Sequence, residues 1–304
     1  MVLTYTANQT DGGRKVYSVM RRELRISQTL TRRLKQTDGI RVDGQSVYTD
    51  YTVKPGETVE IDITAAEPLC DVVPERGPLH VLYEDTGLIA VNKPAGLITH
   101  PSRARYMGTL ANFVAGYLNN TSGDARCHAV GRLDRDTSGV VLFAKNSYMK
   151  ALASAALGAP DAEKEYRALV LGAMGPPDGV IRAPIKRLAE RDMLRVVAPD
   201  GQLAVTRYET LGVCLYEGID VSLLKLILET GRTHQIRVHC LYSGYPILGD
   251  GLYYTNDSLK ASDRLGVATQ ALHAYRLTFT EPVSGERLTL TAEMPEVFGR
   301  IAGV

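Results

Sequence analysis

The chain has 304 residues, 44% of them hydrophobic and 23% charged, and its formal net charge is +1. That composition excludes a disordered polymer, which is poorer in apolar residues and more strongly charged, and the length suits two domains or one large domain with an appendage. No run reaches the roughly 18 consecutive apolar residues of a membrane span. The start, Met1 to Thr6, carries neither the basic nor the apolar segment of a signal peptide, which makes a cytoplasmic protein with no membrane partner the expectation.

The near-neutral total hides a gradient. Arg14, Lys15, Arg21, Arg22, Arg25, Arg32, Arg33 and Lys35 stand against Glu23 alone, a net of +7 in 22 residues. Such a cluster is either a solvated helix face or, because it repels itself, a surface waiting for phosphate. Val16, Val19, Met20 and Leu24 recur at helical spacing. Ser27 is placed to cap a second helix that buries Leu30 and Leu34, turns Arg32, Arg33 and Lys35 outward, and ends at Gly39. Ile40–Val42 reads as a strand entering an Asp43-Gly44 turn, a strong hairpin signal. A further strand pair is expected around 51–53 and 58–63, joined by Lys54-Pro55-Gly56. These basic helices and small strands, through Ser27-Gln28-Thr29-Leu30-Thr31-Arg32-Arg33-Leu34-Lys35 and Val42-Asp43-Gly44-Gln45, resemble the alpha-L RNA-binding motif, the S-four-like domain. The resemblance covers residues 14–63 and implies RNA contacts from Arg21, Arg22, Arg25, Arg32, Arg33 and Lys35. Residues 1–64 are therefore read as one unit.

Residues 65–78 carry three prolines and no periodicity, as a linker would. Beyond them, in 79–304, short runs such as Leu88–Val91, Val140–Phe143, Tyr166–Val170 and Leu223–Leu228 alternate with helical patterns near 108–118, 147–157 and 233–243. That is a mixed α+β domain of catalytic size.

Most familiar chemistries lack their motifs here. Cys70, Cys127, Cys214 and Cys240 are far apart with no Cys-x-x-Cys pair, as reduced thiols are, and the six histidines form no His-Glu-x-x-His pattern. No Gly-x-Ser-x-Gly, P-loop or Gly-x-Gly-x-x-Gly is present. The segment that stands out is Gly131-Arg132-Leu133-Asp134-Arg135-Asp136-Thr137-Ser138-Gly139, polar groups set against the start of an apolar strand, where a site is both rigid and partly desolvated. An arginine near Asp134 would keep that carboxylate ionised. Composition alone also fits a structural Arg–Asp turn, or a metal-binding Asp-x-Asp pair of a nucleotide-sugar glycosyltransferase.

The same segment resembles the signature of the RluA family of pseudouridine synthases, Arg-Leu-Asp followed by Thr-Ser-Gly. Other blocks follow the family in order: Tyr83-Glu84-Asp85, Ala90–Leu97 with His100-Pro101, Lys164-Glu165-Tyr166-Arg167-Ala168, Thr230–His239, Pro246–Asp250 and Leu272-His273-Ala274. The resemblance implies a mainly antiparallel sheet and the isomerisation of uridine to pseudouridine within RNA. The bond to nitrogen 1 breaks, the uracil turns while held, and carbon 5 bonds to the sugar. No electron or group is exchanged between molecules, so no cofactor and no metal are implied. By resemblance Asp134 is the catalytic carboxylate, Tyr166 stacks on the uracil and serves when carbon 5 loses its proton, and Arg237 pairs with Asp134. Arg132 lies beside the flipped base, with Ile236 and Leu272 as apolar walls. Two departures are visible: Gly131 stands where the family has His, and Glu281-Pro282 where it often has His-Pro. The expected partner is ribosomal RNA, large-subunit first, with transfer RNA second. A different class, an RNA-binding ribosome-assembly factor with little catalysis, is opposed by the intact Asp134, Tyr166 and Arg237.

Overall fold

The computed structural model describes residues 1–67, 72–102, 105–189 and 193–303. The N-terminal unit comprises β1 (Val2–Thr6), α1 (Val16–Arg22), α2 (Gln28–Leu34), β2 (Ile40–Val42), β3 (Gln45–Ser46) and β4 (Thr58–Asp62). Its sheet runs in the order β1-β4-β2-β3. Ser27 caps α2 as expected, its hydroxyl accepting from the Leu30 amide at 3.1 Å. Asp43 and Gly44 both take left-handed backbone, at φ 47° and 77°, as a two-residue hairpin requires.

Two expectations fail here, and one strand is unanticipated. Strand β1 carries no strong apolar signal, because it alternates between exposed and half-buried residues, yet it pairs along its whole length with β4, from Val2↔Asp62 to Thr6↔Thr58. Residues 51–53 form no strand; Thr52 makes an isolated bridge to Lys15. Helix α2 ends at Leu34, before Gly39. Gly39 serves the sheet instead: its carbonyl accepts from the Asp62 amide, and a Cβ there would lie 2.9 Å from the Asp62 carbonyl oxygen.

The larger unit comprises β5 (His80–Glu84), β6 (Leu88–Lys93), α3 (Leu110–Ser122), β7 (His128–Ala129), β8 (Ser138–Ala144), α4 (Ser147–Ala156), β9 (Glu163–Leu171) and β10 (Asp178–Arg182). It continues through β11 (Ile185–Arg187), β12 (Arg195–Val197), β13 (Val205–Tyr216), β14 (Ile219–Leu228), α5 (Gln235–Tyr242), α6 (Asn256–Arg264), β15 (Leu272–Thr280), β16 (Arg287–Thr291) and α7 (Glu296–Ala302). Ten strands form one sheet, with the path β10-β13-β14-β9-β15-β8-β6-β5. The fold is mixed α+β and mainly antiparallel; among the described strands β8 and β15 alone pair in parallel, at His273↔Ser138 and Ala274↔Gly139. Gly139 is obligatory there. Its φ is +111°, and a Cβ would sit 2.2 Å from the Ala274 carbonyl oxygen.

Strands β6 and β8 read as continuous apolar runs because both faces are covered. Ile89, Val91, Val141 and Phe143 pack under α3, while Leu88, Ala90, Val140 and Leu142 face α4 and the N-terminal unit. The N-terminal core and this face form one hydrophobic cluster. The Tyr148 hydroxyl donates to the Leu24 carbonyl at 2.9 Å. Glu67, just past residue 64, accepts from the amide and hydroxyl of Ser147 at 2.8 and 2.9 Å and lies 3.0 Å from His128 Nε2. The expected linker is no loose tether at its second half. Val72 is buried with α3, Glu75 receives the Gly108 amide at 2.7 Å, and Gly77 touches the Phe113 ring so closely that a Cβ would lie 2.4 Å from it. Residues 68–71, Cys70 among them, fall outside the described residues.

Candidate active site

The Asp134 loop leads into β8 at the centre of the sheet and is held from beneath. Lys93, with 0% of its surface exposed, donates all three ammonium protons to carbonyls: Pro94 at 2.9 Å, Leu97 at 2.8 Å and Arg135 at 2.7 Å. Burial pulls its pKa down to about 8, while the carboxylates of Asp136 and Asp134 pull the other way. Thr99 donates to the Leu133 carbonyl at 2.9 Å, the Gln270 amide to the Thr137 hydroxyl at 2.5 Å, and the Thr137 amide to the Asp134 carbonyl at 3.2 Å. Asp136 is engaged by Arg135 in a bidentate pair at 2.9 and 3.0 Å. That fits a loop role for Asp136.

Arg237, on α5, donates from Nη1 to Asp134 Oδ2 at 2.9 Å. Its Nε and Nη2 form a fork on Asp250, each at 2.7 Å. Asp250 is fixed in turn by the amides of Leu252 and Tyr253 at 2.9 and 3.0 Å. Burial opposes the charge on Arg237, but the Asp250 and Asp134 carboxylates outweigh it and raise its pKa above the ordinary value. One oxygen of Asp134 is thus committed, and Oδ1 accepts no hydrogen bond among the described residues. A carboxylate held through one oxygen by a guanidinium, with the other oxygen unengaged, is suited to nucleophilic or proton-abstracting work.

His234 caps the start of α5 in left-handed backbone, φ 57°. The Arg195 amide donates to the Tyr253 hydroxyl at 2.9 Å, and that hydroxyl lies 2.8 Å from His234 Nδ1. With the hydroxyl proton given to Nδ1, the imidazole carries its own proton on Nε2, 3.7 Å from Asp134 Oδ2. Burial lowers the His234 pKa and favours this neutral form, against the pull of Asp134.

A cavity of about 540 Å³ brings all six residues proposed for the chemistry and base pocket together: Asp134, Tyr166, Arg237, Arg132, Ile236 and Leu272. Tyr166 comes from β9, Leu272 from the start of β15, and Arg132 stands exposed on the loop. Burial, and then the Asp134 charge, push the Tyr166 phenol up to about 12. The N-terminal cations lie apart from this cavity. Arg21, Arg22, Arg25, Arg32 and Lys35 are exposed and Arg33 partly so. Arg21 donates to the Ile26 carbonyl, and Arg14 pairs with Asp11 at 2.8 Å and Glu23 at 3.4 Å, so the basic stretch is not wholly unopposed. Asp250, Lys93, His234 and Tyr253 carry no signal in the sequence that assigns them a role. Asp250 and His234 lie in blocks singled out for the resemblance, yet nothing along the chain says that they meet Arg237 and Asp134.

The family model for RNA pseudouridylate synthase matches residues 87–242. A Bacillus subtilis protein named uncharacterized RNA pseudouridine synthase YhcT is 35% identical over 288 residues, spanning 95% of this chain and 92% of the relative. The chain belongs to the RNA pseudouridine synthases. A Xanthomonas campestris relative, named ribosomal large subunit pseudouridine synthase D, is 37% identical over 277 residues, 88% of this chain and 81% of its own. These relatives make this synthase an isomerase of RluA type, with RNA as its substrate. Among solved structures, human RNA Pseudouridylate Synthase Domain Containing 1 shares the fold at TM-score 0.62 and 24% identity, covering 78% of this chain and 89% of that one. Human RNA Pseudouridylate Synthase Domain Containing 4 does so at 0.58 and 26%, covering 72% and 90%.

Proposed function

We propose that this synthase isomerises uridine in large-subunit ribosomal RNA, with Asp134 as its catalytic carboxylate. The observation that carries the chemistry is Asp134 itself: one oxygen held by Arg237 at 2.9 Å and the other open to a cavity of about 540 Å³ walled by Tyr166, Ile236 and Leu272. A uridine in stacked RNA reaches Asp134 only when flipped out, at a cost of a few kcal/mol that is least in loops. Asp134 then attacks the sugar or base, or removes the 2′ proton. A phenol held up at about 12 keeps its proton near neutrality, so Tyr166 suits stacking and hydrogen-bond donation better than accepting the proton of carbon 5. Arg132 would meet the backbone beside the flipped base.

The choice of RNA rests on the relatives named for the large ribosomal subunit in Xanthomonas, Neisseria and Nitrosomonas, at 35–37% identity, and on the cationic N-terminal helices, which suit a large folded RNA. The purified protein is to be incubated separately with large-subunit ribosomal RNA and with transfer RNA, both from cells lacking it, and pseudouridine mapped in each. New pseudouridine at defined ribosomal positions is expected. Conversion confined to transfer RNA would reassign the substrate.

A further inference from the structure

The uridine cavity does not close behind Tyr166. A second recess of about 280 Å³ opens beside it and shares Arg132, Leu133, Tyr166, Leu228, Gly231 and Arg232 with its wall. Its floor is apolar, from Val140, Leu142, Leu157 and Leu277, and its rim carries Lys164 and Arg276. The one carboxylate lining it, Glu165, is already taken by the guanidiniums of Arg167 and Arg276. Lys164 has no ion pair among the described residues, and burial lowers its pKa, the sign of an ammonium short of counter-charge. Lys164 and Tyr166 are two residues apart on β9, hence on one face and roughly 6.7 Å apart along the strand. They stand opposite Leu277 and Ala274 of β15.

Gly131 lines the same recess. Its backbone is not left-handed, and a Cβ there would meet nothing within 4 Å. No turn demands glycine at this position; what the missing side chain supplies is room.

We propose that this recess is a subsite for the nucleotide next to the target uridine, with its base on the apolar floor, its phosphate against Lys164 and its entrance kept open by Gly131. The inference rests on the isomerase reading of the adjoining cavity. A flipped uridine remains bonded to its neighbours, so the nearest occupant for a contiguous recess of this chemistry is the adjoining nucleotide of the same strand.

The test uses the full chain and an RNA carrying one mapped target uridine, remade with an abasic residue at each of the two positions on either side in turn. The wild-type enzyme is expected to lose about tenfold in kcat/KM at one of these four positions, the worth of one stacked base. In Gly131→Phe, whose ring fills the recess, that penalty falls towards onefold; Gly131→Leu replaces it if the Phe variant does not fold. Lys164→Gln, at a partly buried side chain, is expected to make RNA binding less salt-dependent by about one phosphate contact. No abasic penalty at any position, a penalty untouched by the Gly131 variants, or an unchanged salt slope in Lys164→Gln overturns the subsite while pseudouridine synthesis stands. A wild-type enzyme that leaves the intact RNA unconverted overturns the isomerase reading, and the subsite with it.

Discussion

Arg237 serves two carboxylates at once, and the division of its donors explains how Asp134 is held in place through one oxygen. Asp250 takes the fork and has no exposed side-chain surface, whereas Asp134 takes a single donor and keeps 30% of its side chain open. Removing the buried partner leaves a guanidinium with one carboxylate at the rim of a cavity. Asp250→Asn is therefore expected to lower stability by about 3 kcal/mol, the cost of breaking a buried pair. It should also lower kcat on the order of a hundredfold by letting the Asp134–Arg237 geometry wander. Chemical denaturation and single-turnover kinetics check the two effects; wild-type turnover in a folded Asp250→Asn variant would free Arg237 from dependence on Asp250. Asp134, Arg132 and Arg237 were legible in the sequence because they sit in dense polar motifs, whereas His234, which lines the same cavity, was not. Nor were those acting through another residue. Asp250 lies 13 positions beyond Arg237 and Lys93 lies 42 before Arg135, and only the fold closes those distances.

Elements were legible where one periodicity dominated. The apolar runs of β6 and β8 and the capped helices α2 and α4 announce themselves, while β1 does not, since neither of its faces is deeply buried. The basic helices were also legible, but their attachment was not: the sequence suggests a separable unit, and the structure seals it to α4 and to the β6–β8 face through one hydrophobic cluster. Deleting residues 1–64 would expose Leu88, Ala90 and Leu142, so it tests packing together with RNA affinity. The cleaner probe replaces Arg32, Arg33 and Lys35 with Gln, which keeps helix propensity and removes three charges. The slope of log affinity against log salt should become shallower by about two units, near 0.7 per cation on single-stranded RNA, with turnover at saturating RNA nearly unchanged. An unaltered slope would make these side chains an ordinary solvated face.

Across the whole molecule, burial lowers the pKa values of three histidines among the described residues: the half-buried His234 and the buried His239 and His273, the last to about 4. His273 is satisfied in its neutral form, with Nδ1 2.8 Å from the Ser138 hydroxyl and Nε2 3.2 Å from the Ala292 carbonyl, beside the parallel β8–β15 pair. Below the ordinary histidine value near 6.5 the unfolded chain takes up protons that the folded chain refuses. Stability is therefore full above that pH and lost as pH falls towards the folded values. His273 alone accounts for roughly 2 kcal/mol between pH 6.5 and 5, a window above the carboxylate range. Urea unfolding midpoints at pH 7.5 and 5 should show the drop, and His273→Gln should lessen it. A midpoint indifferent to pH over this range would mean that the histidines charge without opening the fold.

One carboxylate, Asp134, carries the isomerase chemistry proposed for this chain. The direct measurement incubates wild type, Asp134→Asn and Asp136→Asn with RNA from cells lacking the protein and counts pseudouridine at each mapped position. Asp134→Asn keeps the shape of the side chain and removes its charge, so it should bind RNA and form no detectable pseudouridine. Asp136, bonded to its neighbour Arg135 on the loop, should tolerate the same change with most activity retained. Substantial turnover in Asp134→Asn, or an equal collapse at both positions, would remove Asp134 from its role as the single catalytic carboxylate.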